Sequence, residues 1–360
     1  MSVKLVFLGI THPHSSARYR ALEAVEGVEI VGAWDQDATA LAAFCEEVAA
    51  VRLDRLPDLA TGVDGAIIHS KSAQMAELAM AAAGAGCGVL IEKPGGAGLA
   101  DLAALSEVEA DMDKPMWVGF SFRFSEAFTR AKAAFDAGVV GTAPLIHGHG
   151  ASSQGEHLTR HLNQEADMGG GLWVIGTHVI HLLLELCGRP QAVSARVLKL
   201  NGVSDERSRE DVASLALRYP DRLVTYNFTV HDNREWFESS EITVYGDQGS
   251  IVVGVLPERL EYRLNQASNE LPAGVTSWAE GGFAVPWNGP SSGFSELPQI
   301  QNLAYFERES VAFVDVLRGG TSDGVTVTDA FDVACVVKAA YVSETKGGAE
   351  VLVDDIAGGV

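Results

Sequence analysis

Apolar residues recur along the first 120 positions in two alternating rhythms. Short apolar runs at Val3 to Gly9, Val28 to Trp34, Gly65 to His69, Val89 to Ile91 and Met116 to Gly119 predict buried strands. Between them, Ser16 to Val25, Ala38 to Val48, Ala73 to Ala83 and Leu99 to Ala110 carry apolar side chains at helical spacing. Strands apolar on both faces, alternating with helices, predict a parallel sheet covered on both sides. After Gly119 the pattern changes. A helix is expected over Ala127 to Ala137. Longer alternating strands follow at Ala192 to Leu200, Ala213 to Tyr219, Leu223 to Val230, Glu241 to Tyr245 and Ser250 to Val255, which suits a mostly antiparallel open sheet. Gly, Pro, Ser and Asn crowd Asn265 to Pro298, which predicts a long surface excursion. Helices near Leu303 to Leu317 and Val327 to Thr345 close the chain.

The expected architecture is therefore an α/β Rossmann domain over residues 1–120 and an α+β domain over 121–360. Length agrees, since 360 residues exceed what one hydrophobic core usually supports. Composition narrows the function classes. With 48 acidic against 26 basic residues the formal charge is -22, which opposes polyanions, so no nucleic-acid partner is expected. The four cysteines lie far apart without metal-ligand spacing, as in reduced thiols of a cytoplasmic protein. The first apolar run is too short for a signal-peptide core, and no run reaches membrane-span length, so neither export nor a membrane partner is expected.

A dinucleotide-binding turn requires a glycine directly after the first strand, where the backbone approaches a pyrophosphate at a helix N-terminus. Here the turn reads Gly9-Ile10-Thr11-His12-Pro13-His14, with Thr11 and His14 at the second and third glycine positions. Thr11 and His12 offer donors to an anion, and Ser15 or Ser16 is expected to cap the following helix. Asp35, closing the second strand, is placed to bind ribose hydroxyls and repel a 2′-phosphate, which favours NAD over NADP. The alternative reading makes Asp35 a cap for the next helix.

Val63-Asp64-Gly65-Ala66-Ile67-Ile68 and Gly88-Val89-Leu90-Ile91-Glu92-Lys93-Pro94 resemble the glucose-fructose oxidoreductase and inositol dehydrogenase (Gfo/Idh/MocA) family. Further matches follow in order at Gly119-Phe120, Arg123-Phe124, Val139-Val140-Gly141, Gly169-Gly170-Gly171, Gly176-Thr177-His178 and Gly246 to Ser250. The resemblance thus covers nearly the whole chain. It implies NAD at the domain junction and oxidation of a secondary alcohol of a sugar, sugar acid or cyclitol. It further implies that Lys93 contacts nicotinamide ribose and the reacting hydroxyl, and that His178 accepts the hydroxyl proton. Gly9, Thr11, His12, His14, Asp35, Ser70, Ser72, Glu92, Lys93, Pro94, Ser121 and Arg123 are then expected around the cofactor. Arg123, Arg160, His161, Trp173, Thr177 and His181 are expected around the substrate.

The chain departs from the family pattern where an aspartate usually precedes the histidine, because Val174 stands there. Ser70-Lys71-Ser72 replaces a Thr-Pro-Asn segment. Two alternatives follow: a redox-neutral reaction through transient oxidation (elimination, epimerisation or glycoside cleavage), or a non-catalytic sugar or nucleotide sensor. Arg160 or His161 is a candidate for the missing polar contact. Paired imidazoles at His147, His149, His157 and His161 raise the question of a metal, but strand alternation at His147 and His149 needs no ion, and none is expected. Trp173 and Phe122 either wall a sugar face or pack the core. An exposed open sheet face favours a homo-oligomer, a dimer or tetramer.

Overall fold

The computed structural model describes residues 2–12, 14–56, 59, 62–152, 170–198, 210–231, 238–256, 258–268, 271–279 and 304–360. The first half alternates as its pattern predicts: β1 (Val3–Leu8), α1 (Ser15–Glu23), β2 (Val28–Trp34), α2 (Ala38–Val48), β3 (Gly65–Ile68), α3 (Ser72–Gly84), β4 (Gly88–Glu92), α4 (Leu99–Ala110) and β5 (Met116–Gly119). All four pairings are parallel, in the order β2-β1-β3-β4-β5. The side-chain period of two divides β1 between two apolar layers. Leu5 and Phe7 join Tyr19, Phe44 and Phe313, while Val6 and Leu8 join Met75, Ala79 and Leu102.

A 3₁₀ turn (Ser121–Phe124) leads into α5 (Glu126–Asp136), β6 (Leu145–Ser152), a π-helical turn (Leu172–Gly176) and α6 (Thr177–Cys187). The strands β7 (Ala192–Leu198), β8 (Val212–Arg218), β9 (Leu223–Thr229), β10 (Glu238–Tyr245), β11 (Gly249–Leu256), β12 (Arg259–Leu264) and β13 (Gly274–Ala279) follow. The chain ends with α7 (Ala304–Leu317), α8 (Val327–Thr345), β14 (Val351–Leu352) and α9 (Val353–Ala357). The second sheet has nine strands in the order β13-β12-β11-β10-β6-β9-β8-β7-β14, antiparallel except for β6 against β9. No helix among the described residues is long and apolar enough to cross a membrane.

Three expectations change. The Gly- and Pro-rich excursion contains β13, whose pairing with β12 supplies the partner that local composition could not show. Ser15 is not a side-chain cap: His14 occupies the N-cap of α1, and the Ser15 hydroxyl donates to the His12 carbonyl at 2.6 Å. The carboxylate capping α2 belongs to Asp37, which accepts from the amides of Thr39 and Ala40, rather than to Asp35.

The two sheets are joined by more than the chain crossover after β5. α7 lies against the Rossmann layer, where Phe313 and Leu317 fill the space a Cβ on Gly65 would need. Buried Arg18 of α1 pairs with Glu309 of α7, stacks over Phe306 at 4.5 Å and donates to Ser310 Oγ. α8 begins with a Thr326–Asp329 capping box and packs between α4 and β7. The first turns of α7 thereby reach the segment after the carboxyl end of β1, through Phe306 against His14, on the edge of the sheet where ligands of open α/β sheets bind.

Candidate active site

Each strand of the parallel sheet delivers its chemistry one or two residues beyond its last paired position. Gly9 follows β1 with φ of +79°, and a Cβ there would lie 2.4 Å from Ser70 Cβ, so the β1 turn rests directly on the end of β3. The turn is held by His12 N–H donating to the His69 carbonyl and Ser15 N–H donating to the His12 carbonyl. Thr11 Oγ1 is buried with no hydrogen-bond partner among the described residues, and a phosphate oxygen would satisfy it. Asp35 is buried at the end of β2, where Oδ2 accepts from Ile10 N–H and Oδ1 from Asp37 N–H, both at 2.8 Å. Each oxygen keeps a second lone pair for a ribose hydroxyl. These features fit a dinucleotide. Ser70 is buried beside Gly9, Ser72 opens α3, and buried Ser121 opens the 3₁₀ turn.

Lys93, buried just after β4 and followed by buried Pro94, donates from Nζ to the Val174 carbonyl at 2.9 Å. Val174 occupies the π-helical turn, a local widening that shifts backbone groups out of the α-helical bonding register. The side chain expected to lack a polar role does lack one, but its backbone carbonyl holds the ammonium. Thr177 and His178 open α6 and are buried. The His178 imidazole stacks on Phe122 at 4.2 Å and meets the edge of Phe120, and its Nδ1 has no hydrogen-bond partner among the described residues. Burial, reinforced by the positive charge of Lys93, holds His178 well below the usual histidine range, so it is neutral at physiological pH.

Other expected site residues take up distinct surroundings. His181 stacks flat on Phe120 at 5.0 Å, and burial, opposed by nearby Glu185, pulls its pKa down to about 4. Arg123 extends to Glu185 at 2.8 Å and to Asp323 at 2.6 Å. Trp173 and Phe122 are buried in the core cluster. His147 Nδ1 faces Thr225 Oγ1 at 2.9 Å across the parallel β6–β9 pair. Arg160, His161 and His157 lie outside the described residues.

The sequence reading missed the setting of Glu92. This carboxylate, 1% exposed, lies 3.1 Å from His14 Nδ1, 3.9 Å from His12 Nε2 and 3.6 Å from His69 Nε2. Burial opposes its ionisation, but His12, His14 and His69 more than offset that, leaving its pKa well below the ordinary range. Burial pulls His69 down to about 3. The one local signal was His69 itself, a histidine ending the uniformly apolar run Ala66-Ile67-Ile68.

Residues 4–120 match the model of an oxidoreductase family with an NAD-binding Rossmann fold, and residues 128–252 match the GFO/IDH/MocA C-terminal domain. Inositol 2-dehydrogenase 3 of Saccharopolyspora erythraea is 31% identical over 131 residues, an alignment spanning 36% of this chain and 39% of that protein. Among solved structures, levoglucosan dehydrogenase with NADH and levoglucosan superposes with a TM-score of 0.81 at 18% identity, covering 98% of this chain and 100% of the other. An oxidoreductase from Agrobacterium radiobacter, in complex with NAD+, L-tartaric acid and magnesium, superposes with a TM-score of 0.78 at 19% identity, covering 99% and 100%. At these identities the structural likeness establishes the fold.

Proposed function

The chain belongs to the Gfo/Idh/MocA oxidoreductases, whose N-terminal domain is an NAD-binding Rossmann fold, and from that premise we propose that it oxidises a secondary alcohol of a small sugar, sugar acid or cyclitol. The observation that carries this reading is buried Lys93, just after β4, bonded to the Val174 carbonyl four residues before a buried, neutral His178. Residues 1–120 serve the dinucleotide and 121–360 the substrate. The named ligands of the relatives, inositol, levoglucosan and tartaric acid, share vicinal oxygens, and this supports a polyhydroxylated substrate.

Bound NAD supplies the acceptor for the hydride leaving the carbinol carbon. The chain's own residues manage the oxygen and its proton. Lys93, oriented by the Val174 carbonyl, places a positive charge beside the developing alkoxide. His178 takes the hydroxyl proton at a ring nitrogen as the carbonyl forms, and its neutrality leaves that nitrogen able to accept. Phe122 by stacking and Phe120 by an edge contact fix the imidazole plane where the family pattern uses an aspartate. Thr11 binds a phosphate oxygen and Asp35 the adenine ribose, which disfavours the extra phosphate of NADP.

A screen of cyclitols, aldoses and sugar acids with NAD and NADP, read by reduced-nicotinamide absorbance, tests the reading. The expected outcome is turnover with at least one polyol and a preference for NAD. Conversion of such a compound without net NADH, in single-turnover and steady-state assays alike, would replace dehydrogenation by a redox-neutral reaction. Outward-facing Leu198, Leu223, Tyr245 and Leu352 of the nine-stranded sheet are exposed, and we read that face as the seat of a homo-oligomer contact.

A further inference from the structure

The turn after β1 carries imidazoles at His12 and at His14, the latter where dinucleotide turns use glycine, and both approach one buried carboxylate. His12, His14 and Glu92 offer ligand atoms that all lie within 4.8 Å of one another. His12 is 7% exposed, Glu92 is 1% exposed and His14 is partly open to solvent. We propose that His12, His14 and Glu92 form a binding site for one divalent transition-metal ion of the zinc class.

Three observations support the assignment independently of the dinucleotide. The first is geometry. Metal–nitrogen and metal–oxygen bonds of about 2.0–2.2 Å in a tetrahedron place ligand atoms about 3.3–3.5 Å apart. The contacts to Glu92 Oε1, 3.1 Å from His14 Nδ1 and 3.9 Å from His12 Nε2, bracket that spacing, so small side-chain rotations complete three corners. The second is satisfaction. Glu92 Oε2 is buried with no hydrogen-bond partner among the described residues, and a buried carboxylate is stable only when its charge is met. A divalent cation meets it. The third is the flanking shell. His69, fully buried with neither ring nitrogen hydrogen-bonded among the described residues, stands 3.6 Å from the same Oε2. From there a small ring movement would bring an N–H into hydrogen-bond distance of Oε2, the kind of donor that steadies a ligating carboxylate.

The donor set selects the ion. Two imidazoles and one carboxylate suit Zn²⁺, Co²⁺ or Fe²⁺, whereas Mg²⁺ and Ca²⁺ favour all-oxygen sites. Three protein ligands also leave at least one coordination position for water or an incoming oxygen. His12 Nδ1 accepts from the His14 amide at 3.2 Å, which places its proton on Nε2. Ligation through Nε2 moves that proton to Nδ1 and gives up this long bond, a local change within the turn.

The test uses the full-length chain, stripped with a chelator and kept free of nucleotide, so its result is independent of whether the NAD reading holds. Cobalt is titrated by visible absorption and zinc by calorimetry and thermal denaturation. The expected result is one ion per chain with Kd below about 1 μM and a raised Tm. Binding should be at least about 100-fold weaker in His14→Ala and Glu92→Gln, and about 10-fold weaker in His69→Phe. Zinc-edge X-ray absorption on the wild type should show two imidazoles with oxygen donors, which decides the matter even if a variant does not fold. Absence of any cobalt spectrum and zinc heat, or unchanged binding in folded His14→Ala and Glu92→Gln, would overturn the site.

Discussion

At the scale of single residues, the site replaces a carboxylate by a carbonyl. An aspartate beside Lys93 and His178 would bind the ammonium and raise the imidazole pKa together. The Val174 carbonyl binds the ammonium and leaves the imidazole neutral. Two outcomes follow. Lys93→Ala is expected to lower kcat/KM by about 10²–10⁴-fold, the range for removing a charge-stabilising or proton-handling group. The fall should appear in kcat under saturating substrate, with NAD affinity, measured by fluorescence, much less affected. The second concerns pH. Because burial and Lys93 hold His178 well below the normal range, the neutral base persists on acidification, and kcat should stay flat from pH 8 to pH 6. In Val174→Asp the added carboxylate favours the imidazolium, so the acid limb should move to higher pH. An unmoved limb would take the role of base away from His178.

At the scale of elements, the β1 turn and helices α1 and α7 decide whether the site is formed. Gly9→Ala combines a left-handed φ, costing about 1–2 kcal/mol, with a Cβ placed against Ser70 Cβ at 2.4 Å. We expect a lowered Tm and weakened NAD binding together, since the turn cannot stay seated on β3. The Arg18–Glu309 pair gives an element-level test of how α7 is attached. Arg18→Met leaves Glu309 buried and unpaired by that guanidinium, which should cost about 3–5 kcal/mol by denaturant unfolding. The double variant Arg18→Met/Glu309→Met should recover most of that loss, because two apolar side chains need no mutual charge. His14 shares the Phe306 ring with Arg18, meeting it in a T-shaped contact at 5.3 Å. Detaching α7 should therefore weaken the dinucleotide turn as well.

At the scale of the whole molecule, buried titrating groups set the pH response. His69, with pKa about 3, His181, about 4, and His178 remain neutral in the fold under conditions where an unfolded histidine is charged. Below about pH 6.5 the unfolded chain then binds more protons, and stability falls by up to about 1.4 kcal/mol per pH unit for each such group. Glu309, raised by burial to about 7, acts oppositely, since the fold binds its proton first as pH drops. Three histidines against one glutamate predict a net decline in Tm from pH 6.5 to 4.5. His181→Phe, which keeps the stack on Phe120, should make that decline shallower. A Tm that rises with acidification across this window would contradict the arrangement.

Much of this was legible in the sequence because it is local. Residues a few positions apart dictate strand or helix, so β2, α2, β5, α4 and α8 appear at the boundaries that periodicity predicts. The Glu92-Lys93-Pro94 turn, Gly9 and Asp35 were likewise marked by their place at strand ends, and the family motifs pointed to the same carboxyl edge. Strands β12 and β13 went unrecognised because their pairing defines them better than their composition does. Tertiary structure alone decided the contacts between distant segments. It set the Val174 carbonyl on Lys93, brought α7 onto the first sheet, and surrounded Glu92 with imidazoles from the ends of β1 and β3. The physical reason is range. Hydrophobic period is written in neighbouring side chains, whereas the partner of a buried charge depends on sheet order and helix packing across the chain.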